Sequence, residues 1–302
     1  MSDSYDVAVI GEGVAGLTAA HRLAQAGLRA ATFEAQLFGG LIVNVNELEP
    51  SPAEHGVSGA EYAAGLMQQN AELGVESVQE PVTGIRASGG EFEIATAGAT
   101  HKARQVVVAS GARLKRLGVP GEEEYEGRGV SQCADCDGPM YQGEHAVVVG
   151  GGDSALQEAL VLANYCDKVY LVHRRDTYRA RADLIEQVQG NSKIAPVFNA
   201  TVVAVSGEDM VRGVTLRHAD GREETLECAG MFAYIGLAPN ADMLPAEVQR
   251  DAAGAVKTGA NLETAVRGLW AIGAVRSGYG GTLPDAITEA ERVAEAVKQR
   301  LG

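Results

Sequence analysis

The sequence predicts an α/β protein of two three-layer units, the second inserted into the first. Three observations carry that prediction. The glycine pattern Gly11-Glu-Gly13-Val-Ala-Gly16 follows an apolar run at 5–10, and a second pattern, Gly150-Gly-Gly152-Asp-Ser-Ala155, follows another at 145–149. Cys133-Ala-Asp-Cys136 stands just ahead of the second pattern. With 302 residues, 46% of them apolar, the chain can bury two medium cores.

The elements follow in chain order. Residues 6–10 read as a strand, 14–26 as a helix and 29–33 as a second strand, which makes a βαβ unit. Gly11, Gly13 and Gly16 let the backbone approach a pyrophosphate at the helix N-terminus. Glu34 lies at the end of the second strand, about twenty residues past the first glycine, where a carboxylate meets the ribose hydroxyls of an adenosine. The first unit therefore reads as a Rossmann-like dinucleotide-binding domain. Residues 82–109 alternate like sheet strands and lead into Ala109-Ser-Gly111. Residues 114–130, rich in glycine and charge, read as a connection in which Glu122 to Glu124 form a solvated loop.

The second βαβ unit opens with a strand at His145, continues through a helix at 154–165 and closes with a strand at 168–172. Where the first unit has Glu34, this one has His173-Arg174-Arg175, with Arg179 four residues beyond Arg175. Guanidinium groups pair bidentately with a 2′-phosphate that a carboxylate would repel, so the cluster selects NADPH over NADH. A last strand at 268–273 and a helix at 286–301 return to the first unit. The boundaries so read are 1–114 and 241–302 for the first unit and 115–240 for the second.

A net charge of −15 and a pI near 4.9 argue against nucleic acid or an anionic membrane as partner. No apolar stretch reaches the length of a membrane span, and the first residues enter a strand without the basic start of a signal peptide, so a cytoplasmic protein is expected. Four cysteines in a chain of this length do not make a disulfide scaffold. A Cys-x-x-Cys beside a βαβ pattern reads as redox-active. A structural zinc needs two further ligands at suitable spacing, so no metal is expected. Cys166 and Cys228 stand in apolar surroundings and read as small core residues.

Taken together, Gly11 to Gly16, Ala109-Ser-Gly-Ala112, Gly127 to Gly138 with its cysteine pair, Val149 to Ala155, His173-Arg-Arg-Asp176 with Arg179-Ala180, and Ile235-Gly-Leu-Ala-Pro-Asn240 resemble the low-molecular-weight thioredoxin reductases of the pyridine nucleotide-disulfide oxidoreductase class. The resemblance covers nearly the whole chain. It implies FAD in the first unit, at Gly11, Gly13, Gly16, Glu34, Gly39, Gly40, Ala109, Gly111, Gly273 and Ala286. It implies NADPH in the second, at Gly150, Gly152, Asp153, Ser154, His173, Arg174, Arg175 and Arg179. It further implies a homodimer and a thioredoxin or thioredoxin-like partner. Electrons pass from the nicotinamide through the flavin to Cys133–Cys136. Cys136 is the flavin-proximal sulfur, Cys133 attacks the partner's disulfide, and Asp137 is the general acid. Disulfide exchange needs a thiolate and a protonatable leaving group, so a neighbouring carboxyl is chemically apt.

The chain departs from the family mainly on the flavin side. Asp135 stands between the cysteines where a neutral residue is usual, and its charge should raise the thiolate pKa. The glycine-aspartate pair near the end of the chain reads Gly273-Ala274, which removes a carboxylate from the ribityl chain. The Arg-Gln-Ala that starts the last helix reads Pro284-Asp285-Ala286, after an inserted glycine-rich stretch at 277–281, and Asp285 opposes an anionic flavin. Gly-Gly-Gln-Leu reads Gly39-Gly40-Leu41-Ile42, with Asn44 and Asn46 as substitutes for a displaced asparagine. The function expected is NADPH-dependent reduction of a protein disulfide. Its rivals are a flavin-dependent dithiol oxidase or reductase of a small-molecule disulfide, against which the basic cluster argues, and a redox-sensing binding protein, which assays on a panel of thioredoxins separate.

Overall fold

The computed structural model describes residues 4–48 and 56–302. These divide into two compact units: one runs to Arg113 and resumes at Ala238, and the other is Leu114–Leu237. In the first, parallel strands run in the order Glu76–Val78, Ala30–Phe33, Ser4–Ile10, Thr100–Val108. Beyond its pairing with Ser4–Ile10, Thr100–Val108 is long enough to serve two partners on its other edge. Its first half pairs antiparallel with Glu91–Thr96, and its second half pairs parallel with Leu269–Ala271.

Alternation explains why these strands read as unbroken apolar runs. Val7 and Val9 face one core with the helices Val14–Gln25 and Leu283–Leu301, whereas Ala8 and Ile10 face another with Ile94, Leu244 and Val256. Both sheet faces are covered, so both sets of side chains are buried. Trp270 is buried in the helix-side core and donates from Nε1 to Gln105 Oε1 at 3.0 Å.

The second unit repeats the principle with different cover. Its parallel strands run in the order Ile194–Phe198, Lys168–His173, His145–Gly150, Gly230–Tyr234, Val130–Ser131. Ala146 and Val148 pack on the helix Asp153–Ala163, and Val147 and Val149 pack on an antiparallel meander made by Ala200–Gly207, Val211–His218 and Glu223–Glu227. The α/β class with one unit inserted in the other is therefore as expected. The sequence reading did not single out the meander or the helix Gly59–Glu72.

Several boundaries move, each for a local reason. The return crossing falls at 237/238, ahead of the 240/241 read from the sequence, because Asn240 is stitched to the outgoing chain. Its N–H donates to Gly111 O at 3.0 Å, its Nδ2 donates to Ser110 O at 2.9 Å, and its carbonyl accepts Ser110 Oγ at 2.6 Å. The last helix starts at Leu283, three residues before the expected 286, because Thr282 and Asp285 form a capping box with Pro284 in the first turn. Glu122 is not a solvated residue: it is buried, and its carboxylate accepts the N–H groups of Leu117 and Gly118 at 2.8 and 2.6 Å. Glu123 and Glu124 are exposed as expected. Cys166 and Cys228 are buried free cysteines. No helix among the described residues is long and apolar enough to cross a membrane.

Leu216 is fully buried between the meander and the second sheet. Leu216→Ala is expected to cost about 2–5 kcal/mol, read as a lowered urea midpoint by far-UV circular dichroism.

Candidate functional site

In the first unit the sheet brings the C-terminal ends of the parallel strands Ser4–Ile10, Ala30–Phe33 and Thr100–Val108 to the glycine turn. Gly11, at φ +106°, approaches so closely that an added Cβ would lie 2.4 Å from Ala109 O, and one on Gly16 would lie 2.0 Å from Gly11 O. No side chain fits at either position. Around Gly13 there is room, since an added Cβ meets only Gly39 O at 3.9 Å. The Gly39 N–H donates to Glu12 O at 2.7 Å, which draws Gly39 and Gly40 against the turn. Gly273 packs against Ala15, and Ala286 joins the same helix-side core as Ala15 and Ala109. The structure thus gathers Gly11, Gly13, Gly16, Gly39, Gly40, Ala109 and Gly273 around one turn, with Ala286 in the core that Ala15 and Ala109 share.

Glu34 ends its strand as read, yet its carboxylate is already engaged. Oε2 accepts the Glu12 N–H at 2.8 Å, and Oε1 accepts those of Ala35 and Gln36 at 2.9 and 3.0 Å. Oε2, with one bond accepted, keeps a lone pair for a ribose hydroxyl. Glu12, inside the glycine pattern, was missed as a structural group. It is fully buried and accepts Thr32 Oγ1, Ser77 Oγ and Gln79 Nε2 at 2.6, 2.6 and 3.0 Å.

Four of the helix N-termini form two contrasting pairs. Val14–Gln25 and Asp153–Ala163 have Gly13 and Gly152 at their N-caps, with no side chain capping them. Their first-turn N–H groups are open to an anion. Gly59–Glu72 and Leu283–Leu301 are closed by their own capping boxes, Ser58 with Glu61 and Thr282 with Asp285. Asp285 is turned back on Thr282, accepting its N–H at 3.1 Å and its hydroxyl at 2.6 Å. The carboxylate missing at Ala274 has a neighbour in Glu289, one turn further along this helix. Glu289 is buried, accepts the Gly273 N–H at 2.8 Å and pairs with Arg276. Arg276 also donates to Ser277 O and Gly278 O, so the inserted glycine-rich stretch is held by the same ion pair. Asn44 and Asn46 are both exposed.

In the second unit the glycine turn lies over His173. An added Cβ on Gly151 would lie 2.3 Å from the imidazole, so the loop depends on glycine there. His173 is buried and held below its usual pKa, first by burial and then by Arg175, Arg179 and Arg174, which keeps it neutral at neutral pH. Its Nε2 has no hydrogen-bond partner among the described residues. Arg174, Arg175 and Arg179 are exposed. The Arg179 N–H donates to Gly151 O at 2.7 Å, tying the basic segment to the glycine turn. Asp153 holds this segment too: its carboxylate accepts the Arg181 N–H at 2.9 Å and lies 3.5 Å from the Arg181 guanidinium. Ser154 is exposed in the first helical turn. An uncapped helix start, an unpaired imidazole nitrogen and exposed guanidinium groups fit a phosphorylated nucleotide.

Cys133 and Cys136 form a disulfide with a Cα separation of 5.3 Å. Cys133 caps the four-residue helix Ala134–Asp137, and its Sγ accepts the Cys136 N–H at 3.2 Å. Cys136 is exposed and Cys133 half-buried. Asp137 donates its N–H to Cys133 O at 3.1 Å and lines an open cleft with Arg116, Glu126, Ser131 and Gln132. Behind the turn lies Glu158, which sequence reasoning did not find. It accepts the Ala134 N–H and the Tyr234 hydroxyl, each at 3.1 Å. The available signal was a carboxylate in helical register with the buried stripe Ala155, Ala159 and Leu162.

A family model described as pyridine nucleotide-disulphide oxidoreductase matches residues 5–299. The chain is 39% identical to a thioredoxin reductase of Treponema pallidum, covering 92% of this chain and 91% of that one. It is 36% identical to a thioredoxin reductase of Bacillus subtilis, covering 90% and 87%. Among solved structures it superposes on a thioredoxin reductase from Lactococcus lactis with a TM-score of 0.91, at 32% identity and 98% coverage of both chains.

Gly152 separates binding from folding, because an added Cβ there meets no heavy atom within 4 Å. Gly152→Val is expected to leave the unfolding midpoint unchanged while raising the Kd for NADPH by about tenfold or more, as measured by fluorescence titration.

Proposed function

This chain belongs to the pyridine nucleotide-disulphide oxidoreductase family, and we propose that within it the protein uses NADPH to reduce a protein disulfide, with thioredoxin or a thioredoxin-like protein as partner. The observation that carries the proposal is the Cys133–Cys136 bridge in the same unit as Arg174, Arg175 and Arg179. FAD, held by the first unit, supplies two-electron transfer between a nicotinamide and a disulfide when bound. Gly11, Gly13 and Gly16 give its pyrophosphate the uncapped helix start, and Glu34 takes the adenosine ribose. Arg174, Arg175 and Arg179 take the 2′-phosphate of NADPH, with Gly150, Gly152 and Ser154 at its pyrophosphate.

Once reduced, the pair passes its electrons on by exchange. The Cys133 thiolate attacks one sulfur of the partner's disulfide, and the other partner sulfur leaves as a thiolate that takes a proton from Asp137. Cys136 then gives its proton back to the Asp137 carboxylate and attacks Cys133 Sγ, the intramolecular disulfide re-forms, and the second partner sulfur is released as a thiolate. One disulfide is consumed and one formed, with two electrons transferred to the partner. Family membership supports the remaining parts of this reading, a homodimer located in the cytoplasm.

Anaerobic titration with NADPH tests the path. The protein is expected to take up enough electrons for both flavin and disulfide, and Cys136→Ser enough for the flavin alone. Equal uptake by the two overturns the proposed path. Arg174→Ala with Arg175→Ala is expected to lower the kcat/KM preference for NADPH over NADH by about ten- to a hundredfold, since a charged hydrogen bond contributes about 1.5–3 kcal/mol.

A further inference from the structure

The bridge Cys133–Cys136 encloses Ala134 and Asp135, and the N–H groups of this short turn are shared out unevenly. The Cys136 N–H points to Cys133 Sγ, whereas the Ala134 N–H, one residue from Cys133, goes to Glu158. Glu158 is in turn fixed from behind by the Tyr234 hydroxyl. A carboxylate on a regular helix is thereby attached to the backbone of the redox turn, with its rotamer set by a residue on the strand Gly230–Tyr234.

We propose that Glu158 is the positioning residue of the redox pair: it holds the turn through Ala134, and its negative charge opposes ionisation of the reduced cysteines. The proposal rests on the reading of Cys133–Cys136 as redox-active. Its physical basis is twofold. An anion within hydrogen-bond reach of the turn raises the cost of a thiolate there, and an N–H taken by that anion is not available to a sulfur. The ionisable groups acting on Glu158 are Tyr234 and, from the redox turn itself, Asp135. Burial pushes the Glu158 carboxyl up, as does Asp135, while the bonds from Ala134 and Tyr234 pull it down. Asp135 has the same sign of effect on a thiolate as Glu158, so the two acids act together.

The chain offers a clean assay. Burial pushes the thiols of Cys166 and Cys228 up to about 11 and about 12, so below about pH 9 alkylation reports on Cys133 and Cys136. The purified protein is treated with dithiothreitol, desalted anaerobically and reacted with iodoacetamide across pH, with the label located by mass spectrometry. Glu158→Gln keeps an acceptor for Ala134 and Tyr234 but removes the charge, and it is expected to move the alkylation midpoint down by about one unit. Tyr234→Phe leaves the carboxyl but favours its protonated form, and it is expected to move the midpoint in the same direction by less. A labelled pair whose midpoint is unmoved in both variants overturns the role of Glu158 while leaving the redox reading intact. A pair that dithiothreitol does not open overturns both.

Discussion

The first unit depends on how closely three stretches of backbone approach at its glycine turn. Gly11 leaves no room for a side chain against Ala109, and Gly16 leaves none against Gly11 itself. A Cβ at either place would drive the helix Val14–Gln25 away from the sheet, and with it the core that this helix shares with Trp270 and the last helix. The same closeness aims the helix start outward past Gly13, where space is left. Packing and ligand access are thus settled by one steric condition. The second unit repeats it at Gly150, where an added Cβ would lie 2.5 Å from Tyr234 O, and adds Gly151 lying on the imidazole of His173.

Capping divides these four helices by task. At the starts of Gly59–Glu72 and Leu283–Leu301 the N-cap hydroxyl of Ser58 or Thr282 satisfies a first-turn N–H. Where a helix follows a glycine turn, no side chain competes, and the N–H groups remain available. The last helix is informative because the resemblance assigns its start to the flavin, yet its own Thr282 and Asp285 close it. Next to Ala274, the buried Glu289 accepts the Gly273 N–H and pairs with Arg276. This chain holds that corner together with its own ion pair and cap.

The sequence made legible whatever is encoded over a short span. The two glycine patterns, the strand before each, Glu34 and the basic cluster lie in or at the end of their own βαβ units, and the cysteine pair is a four-residue pattern of its own, so spacing over a few residues makes each readable. The cap at Thr282 was equally local, and its Thr-x-x-Asp pattern could have been read. Groups whose meaning lies in distant partners were not legible. Glu12 depends on Ser77 and Gln79, and Glu158 on Ala134 and Tyr234. A carboxylate on an apolar stripe announces only that something must satisfy it; the fold decides what.

The three hydrogen bonds between Asn240 and the Ser110–Gly111 stretch have an evolutionary meaning. They bring the departing and returning chain side by side, so that to the first unit the entire second unit is a single closed loop. Closing a loop costs little more as it lengthens, and exchange at a closed base leaves the host's strand order untouched. An ancestor could therefore have acquired, lost or replaced the module between those two points by recombination, with its host fold preserved throughout.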